Sequence, residues 1–239
     1  MRDLVVLTAD KNTQFALRGG LSRPQALGIS PVSFDFRVHA GRDGGARVSG
    51  AEVLRGERRR FRHALLVFDF EGCGAAAGQT AEQLERQLDG TLSVVWGADA
   101  KAIVVDPELE AWVWGADNAL HEVLGWPIQT SIRSWLGHNG HAVSDNGKPA
   151  RPKEAFEALV PVHKLPRSSS IYESITSKIS LASCQDADSF DSGACFKDGS
   201  RQRSAPERRA DRRRNPAPAR AACGGFVDLP VGSGACARR

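Results

Sequence analysis

One apolar run that ends abruptly in acid constrains this sequence most: Ala64-Leu65-Leu66-Val67-Phe68, followed at once by Asp69-Phe70-Glu71-Gly72-Cys73-Gly74. A continuous apolar run this short, bounded by a turn signal, reads as a strand buried on both faces. Such strands sit in parallel sheets covered by helices, so the run points to an α/β fold. Leu4 to Leu7 is a similar run ending at Thr8-Ala9-Asp10, and Ala102 to Val105 another, ending at Asp106-Pro107-Glu108-Leu109-Glu110. Val32, Phe34, Phe36 and Val38 alternate with polar residues, the signature of a strand with one solvated face.

Between these strands lie helical stretches. The first starts near Asn12 or Thr13, either of which can cap it, with Phe15, Ala16 and Leu21 turned inward. A charged stretch covers about Ser49 to Arg60, and Ala81 to Leu88 sets Leu84 and Leu88 on one face. His39 to Arg47, rich in glycine, reads as a loop. The alternation predicts a mainly parallel four-stranded sheet flanked by helices. Beyond Trp112 the pattern is helical, over Asn118 to Leu124, Ser131 to Leu136, Lys153 to Leu159 and Ser168 to Leu181. The expected organisation is an α/β domain over 1–115, a helical extension packing on it over 116–190, and a tail over 191–239.

Charge is uneven along the 239 residues. After position 190 there are 11 Lys and Arg against 5 Asp and Glu, leaving 21 basic and 23 acidic residues before it. The body is mildly acidic, and any argument for nucleic acid from overall charge rests on the tail. That tail, with Arg208-Arg209 and Arg212-Arg213-Arg214, reads either as a disordered arm for nucleic acid or as an out-of-frame product that never folds. No apolar run approaches the roughly 18–20 residues of a membrane helix, and the N-terminus reads as a strand rather than a secretory signal. The expectation is a soluble cytoplasmic protein without membrane partners. The cysteines, Cys73, Cys184, Cys195, Cys223 and Cys236, form no C-x-x-C pair, as free thiols in a reducing compartment would.

Acids follow three of the strands: Asp10; Asp69 with Glu71; and Asp106, Glu108 and Glu110. Residues i and i+2 leaving a strand point the same way, so Asp69 and Glu71 can offer both carboxylates to one hard cation such as Mg²⁺. Glycines directly after them admit a phosphate or a backbone. The alternative is that these acids are solvated turn residues, the plainer reading for Asp10 alone. Lys153, Lys164 and Arg167 are candidate phosphate contacts or a solvated face. His138 and His141 lack further nearby ligands in sequence, Cys73 has no neighbouring His to activate it, and the tryptophans read as packing.

The run His63 to Gly74 and the segment Ile103-Val104-Val105-Asp106-Pro107-Glu108-Leu109-Glu110-Ala111-Trp112-Val113-Trp114 carry a resemblance. With Arg151-Pro152-Lys153-Glu154, Ser168 to Glu173, Cys184 and Phe190, they resemble a Toprim-like family of bacterial defence loci, including components of a methylation-associated antiviral defence system. The resemblance spans about residues 1–190. It implies a Toprim-like core and a Mg²⁺ or Mn²⁺ site held by Asp69 and Glu71. Asp10 and Glu110 would complete that site as catalytic residues. It also implies action on DNA or RNA as a nuclease or phosphotransfer subunit, alongside other proteins of the system. The alternative is a non-catalytic assembly or sensing subunit with a degenerate site. Two residues depart from the Toprim pattern: Asp10 stands where those enzymes place Glu, and Glu71 where they place the second Asp of Asp-x-Asp.

Overall fold

The computed structural model describes residues 1–179 except 116, 145–146 and 163–167. The Arg-rich tail, Lys164, Arg167 and the end of the helix expected to reach Leu181 lie outside the described residues. The first strand, β1 (Arg2–Thr8), leads into α1 (Lys11–Leu21) and a short α2 (Pro24–Leu27), then β2 (Phe34–Val38). Next come α3 (Arg42–Arg55), β3 (Phe61–Asp69), α4 (Ala81–Trp96) and β4 (Ala100–Val105). The chain continues through α5 (Glu110–Val113), α6 (Asp117–Leu124), α7 (Ile132–His138), α8 (Pro152–Val162) and α9 (Ser170–Thr176).

The four strands form one all-parallel sheet in the order β2-β1-β3-β4, as the strand-helix alternation predicts. Alternate residues of each strand serve opposite faces. Leu4, Val6, Leu65, Val67, Ile103 and Val105 pack with Leu17 and Leu21 of α1. Val5, Leu7, Ala64, Leu66, Phe68 and Val104 pack with Ala46 and Leu54 of α3 and with Leu84, Leu88 and Leu92 of α4. Helices therefore cover both faces, which is why β3 needed an unbroken apolar run. Fully burying a Leu or Val side chain contributes about 1.5–3 kcal/mol, and β3 alone supplies six apolar side chains exposed by no more than 3%.

Two local expectations change. Asp10, and neither Asn12 nor Thr13, caps α1: its Oδ1 accepts from the Thr13 N–H at 2.8 Å, and its backbone is extended. The helix expected over Ser49 to Arg60 is α3, which begins at Arg42 inside the expected glycine loop and ends at Arg55. Glycine is costly inside a helix, but here it makes room. A Cβ on Gly45 would sit 2.5 Å from Nδ1 of His39, whose ring accepts from the Gly41 N–H and lies 3.0 Å from Ser49 Oγ.

Helices α5 to α9 gather a third core around Leu120, Leu136, Phe156, Leu159 and Ile175, which also takes in Ala16 of α1. The join between α1 and α9 is close. Thr176 Oγ1 donates to Ala16 O, and Arg23 Nη1 donates to Ile179 O at 2.8 Å. A Cβ on Gly19 would lie 2.6 Å from the carbonyl oxygen of Glu173, a backbone atom that cannot step aside. Gly19→Ala is therefore expected to destabilise the protein by about 1–3 kcal/mol in denaturant unfolding, the usual cost of overpacking.

Candidate functional site

In a sheet ordered 2-1-3-4, the chain leaves β1 to one side and β3 to the other. The crevice outside the carboxyl ends of these two strands is where ligands bind in open α/β sheets. Asp10 follows β1 by two residues and Asp69 is the last residue of β3, so both stand at this crevice. The sharp end of the apolar run is thus the mouth of the candidate site.

Asp69 ties three segments together. Its N–H donates to Asp43 Oδ1 at 3.0 Å, at the start of α3, and its own Oδ1 accepts from the Leu109 N–H at 2.9 Å. Asp43 was legible in sequence only as a loop residue, because nothing marked the glycine stretch as a helix start. Burial, then the neighbouring carboxylates of Asp43, Glu110 and Asp10, push the Asp69 carboxyl up from 3.8 to about 8, against the Leu109 hydrogen bond. The structure therefore brings Asp10, Asp69 and Glu110 into one electrostatic neighbourhood, from three different strand ends.

Glu110 opens α5 and is 3% exposed. Burial raises its carboxyl, while the Tyr172 hydroxyl opposes the shift by donating to Oε1 at 2.5 Å. Tyr172 arrives on α9, and its own hydroxyl is pushed up by burial and by Glu110. Glu108 is also buried; its Oε1 accepts from the Lys153 N–H at 2.9 Å, at the start of α8. Burial pulls the Lys153 ammonium down, but Glu110, Glu108 and Asp69 together hold it above its ordinary value. Lys153, half exposed and 4.0 Å from Glu108 Oε2, is the cation that faces this acidic group.

Glu71 follows Asp69 by two residues. It is exposed, its N–H donates to Pro107 O at 2.9 Å, and its charge acts on Glu108. Asp106 is exposed as well and feels Glu82 of α4. The chain bends at Phe70 between Asp69 and Glu71, and the Phe70 N–H continues the β3–β4 ladder by donating to Val105 O. Cys73 is buried and its thiol is raised by burial, the opposite of an activated nucleophile. His138 Nδ1 lies 2.6 Å from Ser134 O, a bond within α7.

Oxygen donors suit a hard divalent cation, and Asp10, Asp69 and Glu110 each accept a hydrogen bond on one carboxyl oxygen. Among the described residues no three His, Cys, Asp or Glu converge as a metal cage. A Mg²⁺ ion that keeps most of its waters needs only one or two carboxylates, and Asp69 and Glu110 are the buried carboxylates at this crevice. No helix among the described residues is long and apolar enough to cross a membrane.

Compared with protein-family models, curated proteins and solved structures, the chain gives no match.

The raised Asp69 carboxyl makes stability depend on pH with a definite sign. The folded chain holds a proton up to about pH 8 that the unfolded chain releases near 3.8, so stability falls as pH rises through that window. One such group gives a slope of at most about 1.4 kcal/mol per pH unit. Thermal melts in chelator from pH 5 to pH 8 should show this decline. Asp69→Asn should flatten it and raise stability at the upper end, with the remainder carried by Glu110, Glu108 and Glu85.

Proposed function

We propose that this chain is a cytoplasmic component of a bacterial methylation-associated antiviral defence system, with a Toprim-like acidic site that binds Mg²⁺ or Mn²⁺ and acts on nucleic acid as a nuclease or phosphotransfer subunit. One observation supports the reading: the carboxyls of Asp10 and Glu110, from two other strand ends, act on Asp69 at the switch-point crevice and, with burial, hold its proton to about pH 8. Crowding acids in this way costs stability, and folds retain it where a ligand relieves it. The resemblance around Asp69 and the Trp112 segment supplies the system and the substrate class.

In this reading Asp69 holds the cation, with Asp10 or Glu110 as the second carboxylate and Glu71 at the outer rim. When bound, the ion supplies charge stabilisation for a scissile phosphate. Tyr172 fixes the Glu110 carboxylate, the Leu109 N–H fixes Asp69, and the Thr13 N–H fixes Asp10. Lys153 is placed to meet a phosphate oxygen at the mouth.

A second reading has a specific observation behind it. Each of these acids also serves the fold: Asp10 caps α1, Asp69 holds the β4–α5 turn, and Glu110 anchors α9. An assembly or sensing subunit with a degenerate site would keep them for that reason alone.

Titration of the protein with Mn²⁺ separates the two. The proposed function expects a single site whose affinity Asp69→Asn lowers by about 10–100-fold or more while the fold persists. Metal-dependent cleavage of DNA or RNA should fall with it. Phage protection that survives Asp69→Asn and Glu110→Gln, with the neighbouring genes present, would leave only the assembly role.

A further inference from the structure

The two edges of the sheet are treated differently. In a parallel ladder alternate residues turn their N–H and C=O outward, and at an edge those groups face no strand. On β4 the outward residues include Ala102 and Val104, because Phe70 N bonds Val105 O and fixes the phase. Both outward amides are closed by side chains of α4: Ala102 N donates to Asp89 Oδ1 and Val104 N to Glu85 Oε1, each at 2.8 Å. Two carboxylates one helical turn apart thus take the place of a neighbouring strand. This is the covered edge that natural sheets use against pairing with other chains.

The β2 edge has no such cover. Leu4 N bonds Ser33 O and His39 N bonds Thr8 O, so the outward residues are Phe34, Phe36 and Val38. Among the described residues no hydrogen bond reaches the N–H of any of the three, and the one outward carbonyl with a partner is Phe36 O, held by Arg37 Nη1. Val38 is 43% exposed. The strand contains neither Lys nor Pro, residues that commonly blunt an exposed edge.

The order of residues on β2 is self-complementary. If a second copy pairs antiparallel about Phe36, Phe36 meets Phe36, and Phe34 meets Val38 of the second copy. These are the outward residues, so each pair exchanges both backbone hydrogen bonds. Asp35 then stands opposite Arg37 of the second copy, and Arg37 opposite its Asp35, in the close pairs between those bonds. One face of the new ladder is apolar and the other carries two opposite-charge pairs. Within the chain Asp35 pairs with Arg2 and Arg37 Nε donates to Glu57 Oε1 at 2.9 Å, so the cross-copy pairs would extend these ion pairs through the second Asp35 oxygen and Arg37 Nη2, which has no hydrogen bond among the described residues. A two-fold axis through Phe36 brings these positions together on both copies at once, as an isologous interface requires.

We propose that two copies of this chain join through their β2 edges into one continuous eight-stranded sheet, with the β4 edges held closed by Glu85 and Asp89. The proposal is independent of the metal and nucleic-acid reading.

Size-exclusion chromatography with light scattering on the full chain tests it. Val38→Pro removes one outward N–H per copy at a position where an edge strand tolerates proline. The wild type should run at twice the chain mass, and Val38→Pro should raise the dimer dissociation constant about tenfold, as expected for two lost hydrogen bonds. Asp35→Lys sets like charges opposite each other at both pairs and should raise it at least as far, with circular dichroism unchanged. If Val38→Pro fails to fold, Asp35→Lys decides. A wild type that is monomeric at its highest soluble concentration overturns the proposal, and so does a dimer whose dissociation constant is unchanged in the folded variants.

Discussion

The structure turns on a carboxyl group that the fold pulls out of water. Asp69 ends the most buried strand of the sheet, and its backbone and side chain are both spoken for, by Asp43 at the start of α3 and by the Leu109 amide after β4. Those two bonds set where α3 begins and where the chain turns after β4. They also place the carboxyl among Asp43, Glu110 and Asp10, which, with burial, lift it to about 8. Packing holds the group where its charge is disfavoured, and the surrounding elements have to keep it there.

The helical part beyond Trp112 does much of that holding. Tyr172 on α9 reaches Glu110, the first turn of α8 is capped by Glu108, and Lys153 brings in the opposing positive charge. Helix α9 is in turn seated on α1 through Thr176 and the gap left by Gly19. The extension therefore shapes the crevice as well as covering it. A substitution at Gly19 should be felt at Glu110 through α9, although Gly19 itself belongs to neither the crevice nor the sheet.

Much of this was legible in the sequence, and the gaps have physical causes. The strands showed themselves because a sheet covered on both faces demands unbroken apolar runs, and Ala64 to Phe68 meets that demand. Helix α3 hid behind Gly41, Gly44 and Gly45, since propensity reads glycine as loop and has no knowledge of a histidine ring that needs the space. Asp43 was lost with it. Asp10 was seen as an acid but not as the cap of α1, which took the part offered to Asn12 or Thr13. The pairing of Asp69 with Glu71 came from strand periodicity carried past Asp69, the last residue of β3. Tyr172 and Lys153 lie far from the strands in sequence, and only tertiary packing brings them to the acids.

The central claim is that the acids at the switch-point crevice, with burial, hold the Asp69 carboxyl protonated to about pH 8, and, as we propose, that a divalent cation displaces that proton. Carbon-13 NMR of the Asp69 side-chain carboxyl, followed against pH in chelator and again with Mg²⁺, measures that directly. The account predicts a midpoint near 8 without metal and a large downward shift when Mg²⁺ is present. A midpoint near the ordinary carboxyl value of 3.8 in chelator, or one that Mg²⁺ leaves in place, would contradict it.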